Sequence, residues 1–366
     1  MSRAREALHR SYRDRLEEWE LRLAARDTNR VVRPFEWGVE WTRSWPGADA
    51  TASQGRDGSP GGCDGSKDGC DPGAYLCRLG QAAAGESERF FSYRTPSDFR
   101  LTANTLRFTS AVGTPSAENN TAYALWFPAP GAKEKAVIVL PQWNSKLPQH
   151  VRLCHWLNLM GISALRLSLP YHDARMPPEL ERADYAVSAN IARTVDAGRQ
   201  AVIDTRSCLD WLESQGYRKF GIVGTSLGSC YAFLTSAHDD RLRVNVFNLY
   251  SFYFADVVWN GLSTRHIRQG MDGQIDLRQL QEAWKPITPQ SYAARYTQQD
   301  KKSLFLSTAY DTTFLPEYSK PMIADFRQRG AHLDEVILPC GHYTLGQPPF
   351  QLFAGYHICA FLKKWL

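Results

Sequence analysis

Apolar positions along the chain fall into three regimes. Over residues 4 to 26 they recur at helical spacing, with Leu8, Tyr12, Leu16, Trp19 and Leu23 on one stripe and Arg and Glu mixed over the opposite face. This pattern predicts an amphipathic helix. Its stripe needs a cover, which we assign to the rest of the same chain; a contact between copies of the chain (a homo-oligomer through the arm) or a membrane surface is the alternative use. Trp37, Trp41 and Trp45 follow at intervals of four and read as core or docking surface. From residue 46 the composition shifts to Gly, Ser and Asp, as in Ser53-Gln54-Gly55-Arg56-Asp57-Gly58, which predicts a flexible linker. We place an N-terminal helical and aromatic arm at 1–45, the linker at 46–89 and the main domain at 90–366.

The third regime alternates strand-like and helix-like runs. Phe99 to Ala111 and Ala122 to Phe127 predict two strands joined by a turn, an antiparallel lead-in. Ala136-Val137-Ile138-Val139-Leu140 is continuously apolar, as a strand covered on both faces must be. A helix is predicted over 149–160, a strand over Ser163 to Leu169, and a long helix over 194–214 with Ala201, Val202, Cys208 and Leu212 on its apolar face. Strands at Val244 to Tyr250, Ser303 to Thr308 and Glu335 to Leu338 follow, with helices over 317–329 and 349–365. Strands separated by helices in this way imply a mostly parallel central sheet with helices on both faces, because parallel neighbours need crossover connections. Function in such sheets collects at the carboxyl ends of the strands.

One strand–helix junction there carries chemistry. Lys219 to Val223 is a short apolar strand, Gly224-Thr225-Ser226-Leu227-Gly228 is a Gly-x-Ser-x-Gly turn, and Ser229 to Leu234 begins a helix. The glycines let the chain turn sharply and leave Ser226 at a strained tip, with the N–H of Leu227 at the positive end of a helix. A serine hydroxyl needs a base, normally histidine, which a carboxylate then orients. Asp311 follows the strand at 303–308, and His342 follows the strand at 335–338. Asp256 is the rival acid. His172 also follows a strand but precedes Ser226; His357 lies mid-helix among phenylalanines; Cys340 lacks an elbow and reads as packed.

In the order nucleophile, acid, base at strand ends, residues 90 to 366 resemble the α/β-hydrolase superfamily. The resemblance rests on Gly224-Thr225-Ser226-Leu227-Gly228, Asp311 and His342. It implies the α/β-hydrolase fold and an oxyanion hole made by the N–H of Leu227 and a second N–H from the loop after the third strand. That loop usually carries His-Gly; here it reads Pro141-Gln142-Trp143-Asn144, and by position the donor role passes to Trp143, with Gln142 as second choice. The superfamily often inserts a cap where residues 251–299 lie, and the aromatics Phe252, Phe254 and Trp259 there, with His172 and the loop 173–193, are the candidate substrate pocket. The implied activity is that of a carboxylesterase, with a peptidase, lipase, thioesterase or acyltransferase on the same three residues, or a binding protein without turnover, as the alternatives.

Composition narrows this picture. The 366 residues suffice for a large core, and 11 Trp, 16 Tyr and 17 Phe are a high aromatic share. A net charge of +5, with no basic run interleaved with aromatics, disfavours nucleic acid. No stretch approaches the roughly 18–20 apolar residues of a transmembrane helix, and the start lacks the apolar core of a secretory signal, so a cytoplasmic location is expected. The eight cysteines show no zinc pattern, Cys63, Cys70 and Cys77 being spaced seven apart. We therefore expect no metal and no cofactor, with a small-molecule ester and water as the reacting partners.

Overall fold

A computed structural model of the chain describes residues 3–48, 71–131 and 134–366. Most of the Gly/Ser/Asp-rich stretch, with Cys63 and Cys70, lies outside the described residues. The chain begins with helix α1 (Arg3–Ala24), whose stripe Leu16, Trp19 and Leu23 turns inward as its spacing predicts, and Leu16 and Leu23 are buried. Trp45 is buried edge-on against Phe90, with ring centroids 5.6 Å apart, and Trp37 and Trp41 pack at the margin of the core.

The stretch assigned as a linker ends earlier than expected. Residues 72–90 are helical, in α2 (Pro72–Gly85) and α3 (Ser87–Phe90). The Asp71 side chain accepts the Gly73 N–H and Pro72 occupies the first turn, an arrangement that starts a helix, and Tyr75, Leu76, Leu79 and Ala83 are buried. Glycine-rich composition upstream masked this apolar period. A Cβ at Gly80 would lie 2.9 Å from the carbonyl oxygen of Ala283, so the helix rests backbone to backbone on a later one.

The sheet comes next in the chain. Its strands are β1 (Arg100–Thr102), β2 (Thr105–Thr109), β3 (Thr121–Phe127), β4 (Lys135–Leu140), β5 (Ser163–Leu167), β6 (Lys219–Thr225), β7 (Leu242–Asn248), β8 (Lys302–Thr308) and β9 (His332–Leu338). Their spatial order is β1-β2-β3-β5-β4-β6-β7-β8-β9; β1, β2, β3 and β5 pair antiparallel and the rest parallel. The single strand expected over 99–111 is instead a hairpin, turned at Ala103, whose φ is 52°. The crossovers are helical: α4 (Val151–Leu159), α5 (Ile191–Ser214) and α6 (Leu227–Ala237) serve the centre of the sheet. Between β7 and β8 lie α7 (Phe254–Asn260), α8 (Arg265–Met271), α9 (Leu277–Ala283) and α10 (Ala293–Thr297); α11 (Pro316–Gln328) and α12 (Phe350–Trp365) flank β9. This is the α/β-hydrolase fold.

Val137, Val139, Val223 and Val246 face one layer of helices, while Ile138, Ile222 and Phe247 face the other, and all seven are buried. The sheet is therefore sandwiched, which explains the uninterrupted apolar runs of β4 and β6. If α2 is part of the packed body, Leu79→Ala should lower stability by about 2–5 kcal/mol in urea unfolding; a segment acting as a tether would give no measurable change.

Candidate active site

Ser226 is the residue between β6 and α6, with φ 55° and ψ −119°. A serine held in that left-handed region costs about 1–3 kcal/mol, which the surroundings must offset. The two glycines explain how. A Cβ on Gly224 would lie 2.6 Å from Ser229 Cα, and one on Gly228 would lie 2.5 Å from the carbonyl oxygen of Leu140, so the first turn of α6 crosses β6 and β4 at backbone contact. Ser229 then ties the turn down, its Oγ lying 2.7 Å from Ser226 O and 2.8 Å from Leu249 O, so that its single O–H donates to one or the other.

The structure brings Ser226, His342 and Asp311 into one hydrogen-bonded row. Ser226 Oγ is 3.0 Å from His342 Nε2, and His342 Nδ1 is 3.0 Å from Asp311 Oδ1 and 3.1 Å from Oδ2. Asp311 is buried and held in turn: Oδ1 accepts the N–H groups of Thr313 at 2.9 Å and Phe314 at 2.6 Å, and Oδ2 accepts the Thr308 hydroxyl at 3.2 Å. This fixes its orientation toward the imidazole. Burial disfavours the imidazolium of His342, but the adjacent Asp311 charge, its hydrogen bond and the nearby Glu20 carboxylate outweigh burial and raise the pKa above 6.5.

The rival residues are placed elsewhere. Asp256, in the first turn of α7, accepts Gln281 Nε2 at 3.0 and 3.1 Å. Cys340 is buried, and burial pushes its thiol up to about 12, with Glu20 and Asp311 adding to the effect. His357 stacks edge-on with Tyr356 on α12.

The candidate oxyanion loop is a tight turn after β4. Asn144 has φ 57°, and its N–H donates to His172 Nε2 at 2.9 Å, while Asn144 Oδ1 accepts the N–H of Ala183 at 2.8 Å. His172 is thus a correction to the expected pocket: it is buried beneath the loop and supports it. Since the Asn144 N–H can only donate, Nε2 is the bare nitrogen and Nδ1–H donates to Pro170 O at 2.9 Å. Burial lowers its pKa to about 4, which keeps this tautomer neutral. The Trp143 indole donates to Ala183 O at 2.9 Å and lies flat against His266 at 5.8 Å, with the Arg182 guanidinium over the ring at 5.5 Å. The Gln142 side chain is occupied by Gln149 and His150.

Three other pocket candidates also pack away. Phe252 is fully buried among Phe233, Tyr250, Phe305 and Phe326. Phe254 sits edge-on to Trp284 at 5.5 Å, and the Trp259 ring is covered by Arg268 at 4.1 Å. Aromatic clustering there is core formation, a use that composition alone does not separate from a pocket. In the loop 173–193, Tyr185 is covered by the Arg193 guanidinium at 3.9 Å.

What the sequence reading missed comes from the N-terminal arm. Glu20, on α1, is fully buried and accepts hydrogen bonds from Tyr343 N, Thr344 N and Thr312 Oγ1 beside His342 and Asp311. Arg30 Nη2 donates to the Tyr343 hydroxyl at 2.9 Å. The available signal was an acid one turn from Leu16 and Leu23, within the apolar stripe. Among the described residues, no group of three or more His, Cys, Asp or Glu is placed to hold a metal ion, and no helix is long and apolar enough to cross a membrane.

Solved structures share this fold at low sequence identity. Acetyl xylan esterase 1 from Thermoanaerobacterium sp. JW/SL YS485 aligns at 14% identity over 77% of this chain and 93% of its own, with TM-score 0.57. An acetyl xylan esterase from Paenibacillus sp. R4 aligns at 14% over 80% and 94%, with TM-score 0.55. An acylaminoacyl peptidase from Pyrococcus horikoshii aligns at 12% over 77% of this chain and 43% of its own, with TM-score 0.52. No family model matches the sequence, and no curated protein matches it. What this chain shares with these structures is the α/β-hydrolase fold.

The two histidines should separate by titration. NMR of the imidazoles should place His342 above 6.5 and leave His172 neutral throughout pH 5–8; Asp311→Asn should lower the His342 value. Equal midpoints for the two rings would contradict the hydrogen bonding described.

Proposed function

We propose that the protein is a serine hydrolase that cleaves carboxylic esters through an acyl-enzyme. The observation that carries this reading is the continuous row Ser226–His342–Asp311 at 3.0 Å spacings, built on a serine whose backbone is held in a left-handed conformation. In the first half-reaction His342 Nε2 takes the Ser226 proton as Oγ bonds to the ester carbonyl carbon. Asp311 holds the Nδ1–H tautomer and stabilises the imidazolium. As the tetrahedral intermediate collapses, the C–O bond to the alcohol breaks and His342 returns the proton to the leaving oxygen. Water, activated by the same nitrogen, then releases the acid and restores Ser226.

The negative oxygen falls to the N–H of Leu227, at the start of α6, and to that of Trp143, with Gln142 as the second candidate. Each such donor contributes about 3–4 kcal/mol to lowering the barrier. His172 serves by fixing the turn that presents the Trp143 N–H. The reading calls on no cofactor. Esters and an acylaminoacyl compound are both named for structures of this fold, so acyl transfer is the shared chemistry and the ester is the member we favour.

A fluorophosphonate should label the wild-type protein and not Ser226→Ala. Short 4-nitrophenyl esters should be turned over in preference to long-chain esters, a thioester or a peptide amide, and peptide amide cleavage in preference to ester would move the reading to a peptidase. Because His342 must be neutral to act as base and its pKa is raised, kcat/KM should fall with decreasing pH at a midpoint above 6.5. Asp311→Asn should reduce kcat by about 10⁴-fold; full activity in that variant would show that Asp311 does not serve as the orienting acid.

A further inference from the structure

We propose that Glu20, on the N-terminal helix, is a positioning residue for this hydrolysis: its buried carboxylate fixes the loop carrying His342 and ties it to the loop carrying Asp311. The inference rests on the hydrolase reading for its catalytic consequence. The contacts themselves do not. Glu20 Oε2 accepts the Tyr343 N–H at 3.0 Å and the Thr312 hydroxyl at 3.2 Å, and Oε1 accepts the Thr344 N–H at 2.6 Å. Tyr343 and Thr344 directly follow His342, and Thr312 directly follows Asp311. One carboxylate therefore bridges the two loops whose separation sets the His342–Asp311 hydrogen bond.

The surroundings are shaped to this contact. A Cβ on Gly341 would lie 2.6 Å from Glu20 Oε1 and 2.8 Å from its Cγ, so the residue preceding His342 is a glycine where the carboxylate passes. The Gly341 N–H donates to Thr344 Oγ1 at 2.8 Å and closes the loop on itself. The arm grips the same loop at two more points. The Tyr12 hydroxyl donates to Pro339 O and its ring lies edge-on to Tyr310 at 5.9 Å, while Arg30 reaches the Tyr343 hydroxyl.

A carboxylate is the side chain suited to this place, because it has acceptor capacity for three donors and no proton to set against them. An apolar residue at position 20, which the stripe of α1 would otherwise favour, leaves two buried N–H groups without partners. Glutamine matches the size but offers one acceptor oxygen and turns an NH₂ toward a donor. Glu20 touches no reacting atom. Its effect is transmitted through the loop.

The charge has a second effect. The ionisable groups around His342 are Asp311 from the β8 side, Glu20 from α1, and Cys340 and Tyr343 from its own loop, with Arg30 bonded to the Tyr343 hydroxyl. Of the two carboxylates, Glu20 acts at longer range, and removing its charge should move the His342 titration to lower pH.

The test uses the full chain with short 4-nitrophenyl esters. Glu20→Gln should reduce kcat by about 10- to 100-fold, the size expected when a catalytic group is displaced by about 1 Å, with KM within about threefold of wild type. The acid limb of kcat/KM and the NMR titration of His342 should both move to lower pH. Glu20→Asp, which keeps the charge on a shorter stem, should recover the position of that limb while recovering kcat in part. If Glu20→Gln does not fold, Thr312→Val removes one donor from outside the helix and should lower kcat about threefold or more with KM unchanged; unchanged kcat there would overturn the role. Wild-type turnover matched by Glu20→Gln in kcat and in the His342 titration would overturn it as well. Absence of ester turnover in wild type would instead sink the hydrolase reading, and the NMR shift would still decide whether Glu20 acts on His342.

Discussion

The structure depends on a close crossing of backbones at the start of α6. For Ser226 to stand clear of the sheet, the chain must reverse from strand to helix within a few residues, and the first helical turn must pass over β6 and β4 with no side chain between them. Gly224 and Gly228 make this approach sterically feasible, and the Ser229 hydroxyl, within reach of the carbonyls of Ser226 and Leu249, holds it. The left-handed backbone of Ser226 is the residual cost. A sheet buried on both faces supplies the rigidity that keeps such a conformation in place, because loosening one strand would expose two layers of core.

Around this fixed point the candidate site is made up of loops at the ends of β4, β8 and β9. Each loop is held by a buried polar group and not by packing alone. His172 secures the turn after β4, the N–H groups of Thr313 and Phe314 secure Asp311, and Glu20 secures the residues after His342. These groups are costly to bury unless their hydrogen bonds are complete, so each also acts as a check on local geometry. A loop displaced far enough to break one of them would leave an unpaired donor or acceptor in the interior.

Legibility in the sequence followed the range over which each signal acts. The elbow is local: two glycines, a serine and the flanking apolar runs fall within sixteen residues, and the strand–helix alternation around them is a matter of period. Asp311 and His342 were readable because their strands are strongly apolar and loops at strand ends are where such sheets place polar groups. The pocket was not readable. Phe252, Phe254 and Trp259 have the composition of a binding surface and of a core alike, and only three-dimensional packing assigns them to the latter. Helix α2 was hidden by its glycine-rich approach, and the hairpin at Ala103 by a turn that lacks glycine. The roles of Glu20 and His172 escaped for a different reason: their partners are mostly main-chain groups, which a sequence does not distinguish from one position to the next.

The bridge between α1 and the loop after β9 joins residues 323 positions apart. A ribosome makes the helix first and the loop after β9 much later, so Glu20 is translated long before the N–H groups it accepts. During that interval the growing chain carries a carboxylate among the inward-facing positions of α1 whose hydrogen-bond partners do not yet exist. The row Ser226–His342–Asp311 can close only after the loops following β8 and β9 have been made, so a chain released before them lacks it.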